Sequence, residues 1–199
     1  GYDEIRAKFD SVDEFRIAQE VVREEFIGFE IISYDKESIT IRKVSQLEVE
    51  EFDNMLRRKF LIIKSMAEDL CVPDIDKDML SMIILRDKDV NKIADFLRRL
   101  INKFMGNQEN IGPLYFIVEQ LEKISDIYRD LAKYQFQDNK KMSKESLGYL
   151  KEVNSFFNDY YSLYFKFDLD KMTQFGKKRY KLKAELECYL DKAGKDVRY

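Results

Sequence analysis

Apolar residues recur along this chain with two periods, and the change from one to the other divides it. Residues 2–8 are extended in character, and SVDEFRIAQEVVREEF then shifts to helical spacing, with Phe15, Ile17, Val21, Val22 and Phe26 as its apolar set. Two β-rich runs follow, FEIISY and SITIRKV, separated by DKE. Together they predict a small β-α-β-β subdomain over residues 1–44, a sheet with one covering helix. Its hairpin is expected to present Ile31 and Tyr34, or Phe29 and Ile32, on opposite faces.

At Ser45 the period becomes helical and stays so. The run SQLE has the capping-box arrangement, in which the Ser45 hydroxyl and the Glu48 carboxylate each satisfy a free amide at a helix start. Val49, Phe52, Leu56, Phe60, Ile63, Met66, Ala67 and Leu70 then form one stripe that ends near Cys71, before Pro73. A second helix is expected from about Asp76 to Gly106, with the stripe Ile83, Val90, Ala94, Leu97, Ile101 and Phe104. After GNQEN, Gly112-Pro113 opens a third, carrying Ile117, Leu121, Ile124, Tyr128 and Leu131. Three amphipathic helices joined by short turns predict an antiparallel bundle.

DNKKMSKES interrupts the pattern, and two further helices are predicted, from about Ser143 to Phe167 and from about Asp168 to Leu190. The former is rich in aromatics: Phe156, Phe157, Tyr160, Tyr161, Tyr164, Phe165 and Phe167 cover more than one face. They either pack on the first three helices or form a dimer or partner surface. The expected fold class is therefore mainly α, a helical bundle over 45–195 preceded by the β-α-β-β subdomain. Within the bundle, 45–136 is a complete three-helix unit and 143–192 a degenerate second unit.

Composition narrows the chemistry. The 199 residues suffice for one or two domains with their own core, and only seven glycines and two prolines punctuate them. With 35 basic and 38 acidic residues, direct nucleic-acid binding by this chain is not expected. Histidine is absent, which removes the usual general base and the usual zinc ligand. Cys71 and Cys188 lie in different helical patterns, which favours free buried thiols in a reducing compartment over a disulfide, and the chain is read as cytoplasmic. No run approaches the roughly 20 apolar residues of a membrane span, so no membrane insertion is expected. The strand-like opening GYDEIRAKF suggests an upstream segment.

Two rows of oxygen-bearing side chains interrupt the helical stripes. Asp87, Asn91 and Asp95 follow at four-residue intervals, as do Glu122, Asp126 and Asp130. Residues four apart on a helix stack with Cβ atoms about 5–6 Å apart, so each row can offer several oxygens to one ion. At about 100° per residue, Asp87 lies beside its apolar stripe, Asn91 further out, and Glu122 and Asp126 point away from theirs, which places such a site on the outer surface. The donor set suits Mg²⁺, Mn²⁺ or iron. The competing reading is a solvated face with ordinary ion pairs, Asp95 to Arg98 and Arg99 and Asp126 to Arg129, and the residues alone leave both open. Ser65 and Ser125 have no basic partner discernible in the sequence, and no nucleophile-base pair or phosphate-cradling glycine loop is present, so a metalloenzyme is the weakest reading and no catalytic activity is expected.

LRRKFLIIKSMAEDL, LRDKDVNKIADFL and LYFIVEQLEKISDIYRDLA, in this order and spacing, resemble the three successive helices of a PhoU domain, the phosphate-uptake regulator family. In that family the second and third helices carry a D/E-x-x-x-D motif, matched here by Asp87 to Asn91 and Glu122 to Asp126. GYDEI and REEFIGFEIISYDKESITIRKV are similar to the segment that joins an AbrB-type DNA-binding module to the PhoU domain in archaeal fusion regulators. The resemblance implies a regulator of phosphate uptake and phosphate-responsive signalling. It also implies a helical bundle that contacts the ATPase of a phosphate ABC transporter or a regulatory protein, and iron, manganese or zinc clusters on the acidic motif, of which the oxygen donors here favour iron, manganese or magnesium over zinc; a homodimer is expected. An alternative is the sensing and dimerisation part of a transcription regulator whose DNA-binding module lies upstream. Beyond residue 140 the match departs from the family pattern: FGKKRYKLK stands where an acidic motif would recur, and a second metal cluster is not expected.

Overall fold

The computed structural model describes residues 2–45, 51–105, 111–138 and 141–196. Its first elements are β1 (Glu4–Lys8), α1 (Val12–Glu25), β2 (Phe29–Tyr34) and β3 (Ser38–Lys43). Ser11 starts α1 by accepting the Glu14 amide at 3.2 Å. β3 is the central strand, antiparallel to β1 and β2. Val22 packs on Phe29, Ile39 and Ile41, with Ile5, Ala7, Phe9, Phe15, Ala18, Phe26 and Ile31 around them. The inward face of α1 is thus rotated from the one expected: Ile17 and Val21 are exposed, while Phe15 and Ala18 turn toward the sheet.

The hairpin departs from strict alternation. Its register runs Ile31 opposite Ile41 and then Ser33 opposite Thr40, so one extra residue is inserted on β2. That insertion reverses the parity. Ile31 packs on the small core and the Tyr34 ring lies 5.7 Å from Phe15, on the same covered face, while Ile32 is left exposed. Gly28 enters β2 with φ 76°, and a Cβ there would lie 2.0 Å from Ser45 Oγ. Its carbonyl also accepts the Val44 amide, so this turn closes the subdomain onto itself.

Five further helices follow: α2 (Glu51–Asp69), α3 (Lys77–Phe104), α4 (Ile111–Asp138), α5 (Lys144–Phe165) and α6 (Leu169–Asp196). Glu48 of the expected capping box, Val49 of the expected stripe and the expected Gly106 cap lie outside the described residues. Asp76, Ser143 and Asp168 cap α3, α5 and α6 by accepting the amides of Met79, Ser146 and Lys171 at 2.8, 3.0 and 2.9 Å. The described chain is thus mainly α, with a small antiparallel sheet ahead of a helical bundle.

α2, α3 and α4 run up, down and up around a core built from Leu56, Phe60, Ile63, Met66, Ile83, Val90, Leu97, Ile101, Val118 and Leu121. The predicted stripes of α2 and α3 are buried as expected, apart from Phe104, which is exposed. On α4 the buried line is Val118, Leu121, Ser125, Tyr128, Ala132 and Gln135, one step round from the predicted one. Ser125 in that line reaches Met66 of α2 and Asp87 of α3.

The aromatic side of α5 packs on α2. Phe60 is ringed by Phe157, Tyr160, Tyr161, Tyr164 and Phe165, all with centroids 5.5–5.8 Å away. Asn154 secures the other end of the contact, donating to the Ala67 carbonyl and accepting from Tyr128 Oη, both at 2.7 Å. α6 lies outside α5, with Phe156 stacked on Phe175 at 4.2 Å and the tilted rings of Tyr149 and Tyr189 4.6 Å apart. Cys71 and Cys188 are free thiols, half-buried and exposed respectively rather than buried.

The subdomain sits on the outer face of α3. Lys88 pairs with Glu24 at 2.9 Å, Lys92 donates to the Arg23 carbonyl at 2.6 Å, Arg99 lies 4.1 Å over the Phe29 ring, and Lys103 pairs with Asp3. One basic row on α3 thus docks the sheet and α1, and leaves the adjoining side of α3 to meet α4.

Candidate functional site at the seam of α3 and α4

The two acidic rows do face one another across α3 and α4, and each is gathered by an arginine. Arg98 on α3 pairs with Asp95 on its own helix at 2.7 Å and reaches across to Glu119 and Glu122 on α4. Arg129 on α4 pairs with Asp126 and, at 2.9 Å, with Asp130 on its own helix, and reaches back to Asp87 on α3 at 2.8 Å. The antiparallel run of the two helices makes the groups reciprocal: one arginine comes from each helix.

Asp87 is the deepest member, only 3% exposed rather than on the outer surface. Its Oδ1 accepts from Ser125 Oγ at 2.7 Å and its Oδ2 from Arg129 Nη1 at 2.8 Å. A buried carboxylate persists only when its charge and lone pairs are matched in this way. Ser125 therefore has a specific task at the seam. Ser65, expected to lack a basic partner, accepts from Arg86 Nη1 at 2.9 Å.

Asn91 lies midway between the two groups on α3, and its Oδ1 is buried without a hydrogen-bond partner among the described residues. The structure thus gathers Asp87, Asp126 and Asp130 on Arg129, gathers Asp95 and Glu122 on Arg98, and leaves Asn91 between them. Glu119 and Lys59 belong to the same seam and are not part of either predicted row. Lys59 is completely buried, and its Nζ donates to the Val118 carbonyl at 2.9 Å. A signal for it exists in the sequence, since it falls three residues after Leu56 and four before Ile63, on the apolar stripe itself.

The electrostatics follow from burial among opposite charges. Burial pushes the Lys59 ammonium down to about 8, against the opposing pull of Glu122. Burial raises Glu122 above the usual carboxylate range despite Arg98 and Lys59, whereas the Arg98 hydrogen bond lowers Glu119. For both arginines burial acts downward, yet the carboxylates facing them prevail and hold the guanidinium groups above their ordinary value.

A metal on the acidic motif needs several oxygens converging on one vacant point. Among the described residues no three acidic or cysteine side chains are so grouped. The inward-facing oxygens of Asp87, Glu119 and Glu122 are directed at arginine nitrogens. As arranged, the residues of the motif do not fit a resident metal.

No family model matches the chain, and no curated protein or solved structure does. No helix among the described residues is long and apolar enough to cross a membrane.

Proposed function

We propose that this chain is a PhoU-like regulator of phosphate uptake and phosphate-responsive signalling, acting by protein-protein interaction rather than by catalysis. The observation that carries the reading is that the acidic rows of α3 and α4, the two helices whose motifs resemble the family's, share one seam. The bundle supplies stable helical surfaces, and α6 turns Leu169, Met172, Tyr180 and Leu190 outward, as a partner-binding module would. The partner in this reading is the ATPase of a phosphate ABC transporter, or a regulatory protein of the same circuit, met by a homodimer in the cytoplasm.

Titration of the purified chain against the purified transporter ATPase, with and without inorganic phosphate, tests the proposal. Saturable binding that changes with phosphate supports it. No binding in either condition overturns it, and a basic, β-rich segment encoded upstream of Gly1 would favour the transcription-regulator alternative.

A further inference from the structure

We infer that Arg98 and Arg129 are built-in counter-cations that take the place a metal would hold at the seam, so that α3 and α4 keep their carboxylates together without a metal. The inference rests on the geometry of the seam and stands whether or not the phosphate-uptake reading does.

Its first support is position. Each guanidinium meets three carboxylates drawn from both helices, Asp95, Glu119 and Glu122 in one group and Asp87, Asp126 and Asp130 in the other. A cation at the focus of such a group offsets the mutual repulsion of the acids, whether it is an ion or a side chain. A planar fork with several donors suits that task, because it can address carboxylates in different directions at once.

Its second support is the charge of the surrounding shell. Lys59, buried behind Glu119 and Glu122, adds a second internal cation to the Arg98 group, where a divalent ion would meet repulsion from two fixed charges. In the Arg129 group the deepest acid, Asp87, has both oxygens engaged, while Asp126 and Asp130 are open to water, which screens them. Asn91 fits the same scheme. An acid between the two groups would add a further buried negative charge, whereas an amide adds none.

The test compares the wild type with Arg98→Met and Arg98→Lys. Metal content is measured after purification without chelators, and Tm is measured in EDTA and in Mn²⁺. The wild type is expected to carry no stoichiometric metal and to keep the same Tm in both. Arg98→Met, which leaves the three carboxylates only Lys59 as a cation and frees their oxygens to turn toward one point, is expected to gain a Mn²⁺ response, a Tm rise of roughly 3–6 °C when the cation stands at about ten times its Kd. Arg98→Lys, which keeps a fixed charge, is expected to remain unresponsive. Stoichiometric metal in the wild type, or a Tm that falls in EDTA, overturns the inference, and so does a folded Arg98→Met chain indifferent to Mn²⁺. If Arg98→Met does not fold, the wild type and Arg98→Lys decide: a Mn²⁺ response in either counts against it.

Discussion

Replacing Arg129 with methionine isolates the most buried carboxylate among the described residues, that of Asp87. Methionine keeps most of the volume of the side chain and removes its cation, so Asp87 retains only the Ser125 hydroxyl. Breaking a buried pair on one side is expected to destabilise the fold by about 3–5 kcal/mol. A loss near 4 kcal/mol is the middle of that range.

Urea unfolding followed by far-ultraviolet circular dichroism reads this directly. With an m-value of about 2–3 kcal/mol/M, the midpoint at pH 7 falls by roughly 1.5–2 M. Adding Asp87→Asn removes the stranded charge and should return the double variant to within about 1.5 kcal/mol of the wild type, a coupling of about 2–3 kcal/mol. A loss under about 1 kcal/mol, or additive behaviour in the double variant, would refute the reasoning.

Two other perturbations probe separate parts of the structure. Because the folded chain gives up the Lys59 proton at about 8 and the unfolded chain near 10.5, the folded state binds fewer protons between those values and stability rises with pH across that window. Lys59→Met should abolish this rise, worth about 3 kcal/mol over the window, and should leave the chain at least as stable as the wild type at pH 7; a pH profile parallel to the wild type's would contradict the assignment. Phe60→Ala empties the centre of five aromatic contacts and should destabilise the chain by about 3–5 kcal/mol, with loosening of α5 visible as faster amide exchange in residues 154–165 before the rest of the bundle; uniform exchange throughout would argue against it.

Much of the fold was legible in the residues themselves. The caps at Ser11, Asp76, Ser143 and Asp168 act within three residues of where they stand, and the stripe from Phe52 to Leu70 needs only the helical repeat to show which way it faces. Errors arose where polar or small residues occupy buried positions. Periodicity assigns Ile117, Ile124 and Leu131 to the inner line of α4; they pack half-buried on the core, while Val118, Ser125 and Ala132 beside them are the fully buried ones. At Ser125 the position serves a polar contact with Asp87, which the spacing of apolar residues does not report. Lys59 escapes the pattern likewise: a lysine on a stripe reads as an interruption, although its ammonium reaches the Val118 carbonyl. The bulge of β2 likewise leaves no local mark strong enough to reverse the alternation of Ile31 and Tyr34.

The residues alone told where helices and strands form and that two oxygen-bearing rows exist on α3 and α4. Each of these depends on neighbours within a turn or two, and such spacing is written in the chain. Only the tertiary structure decided what the rows meet. Asp87 and Arg129 are 42 residues apart and Arg98 and Glu122 are 24 apart, and the register of two antiparallel helices, set by how their buried side chains interlock, brings each acid to a guanidinium.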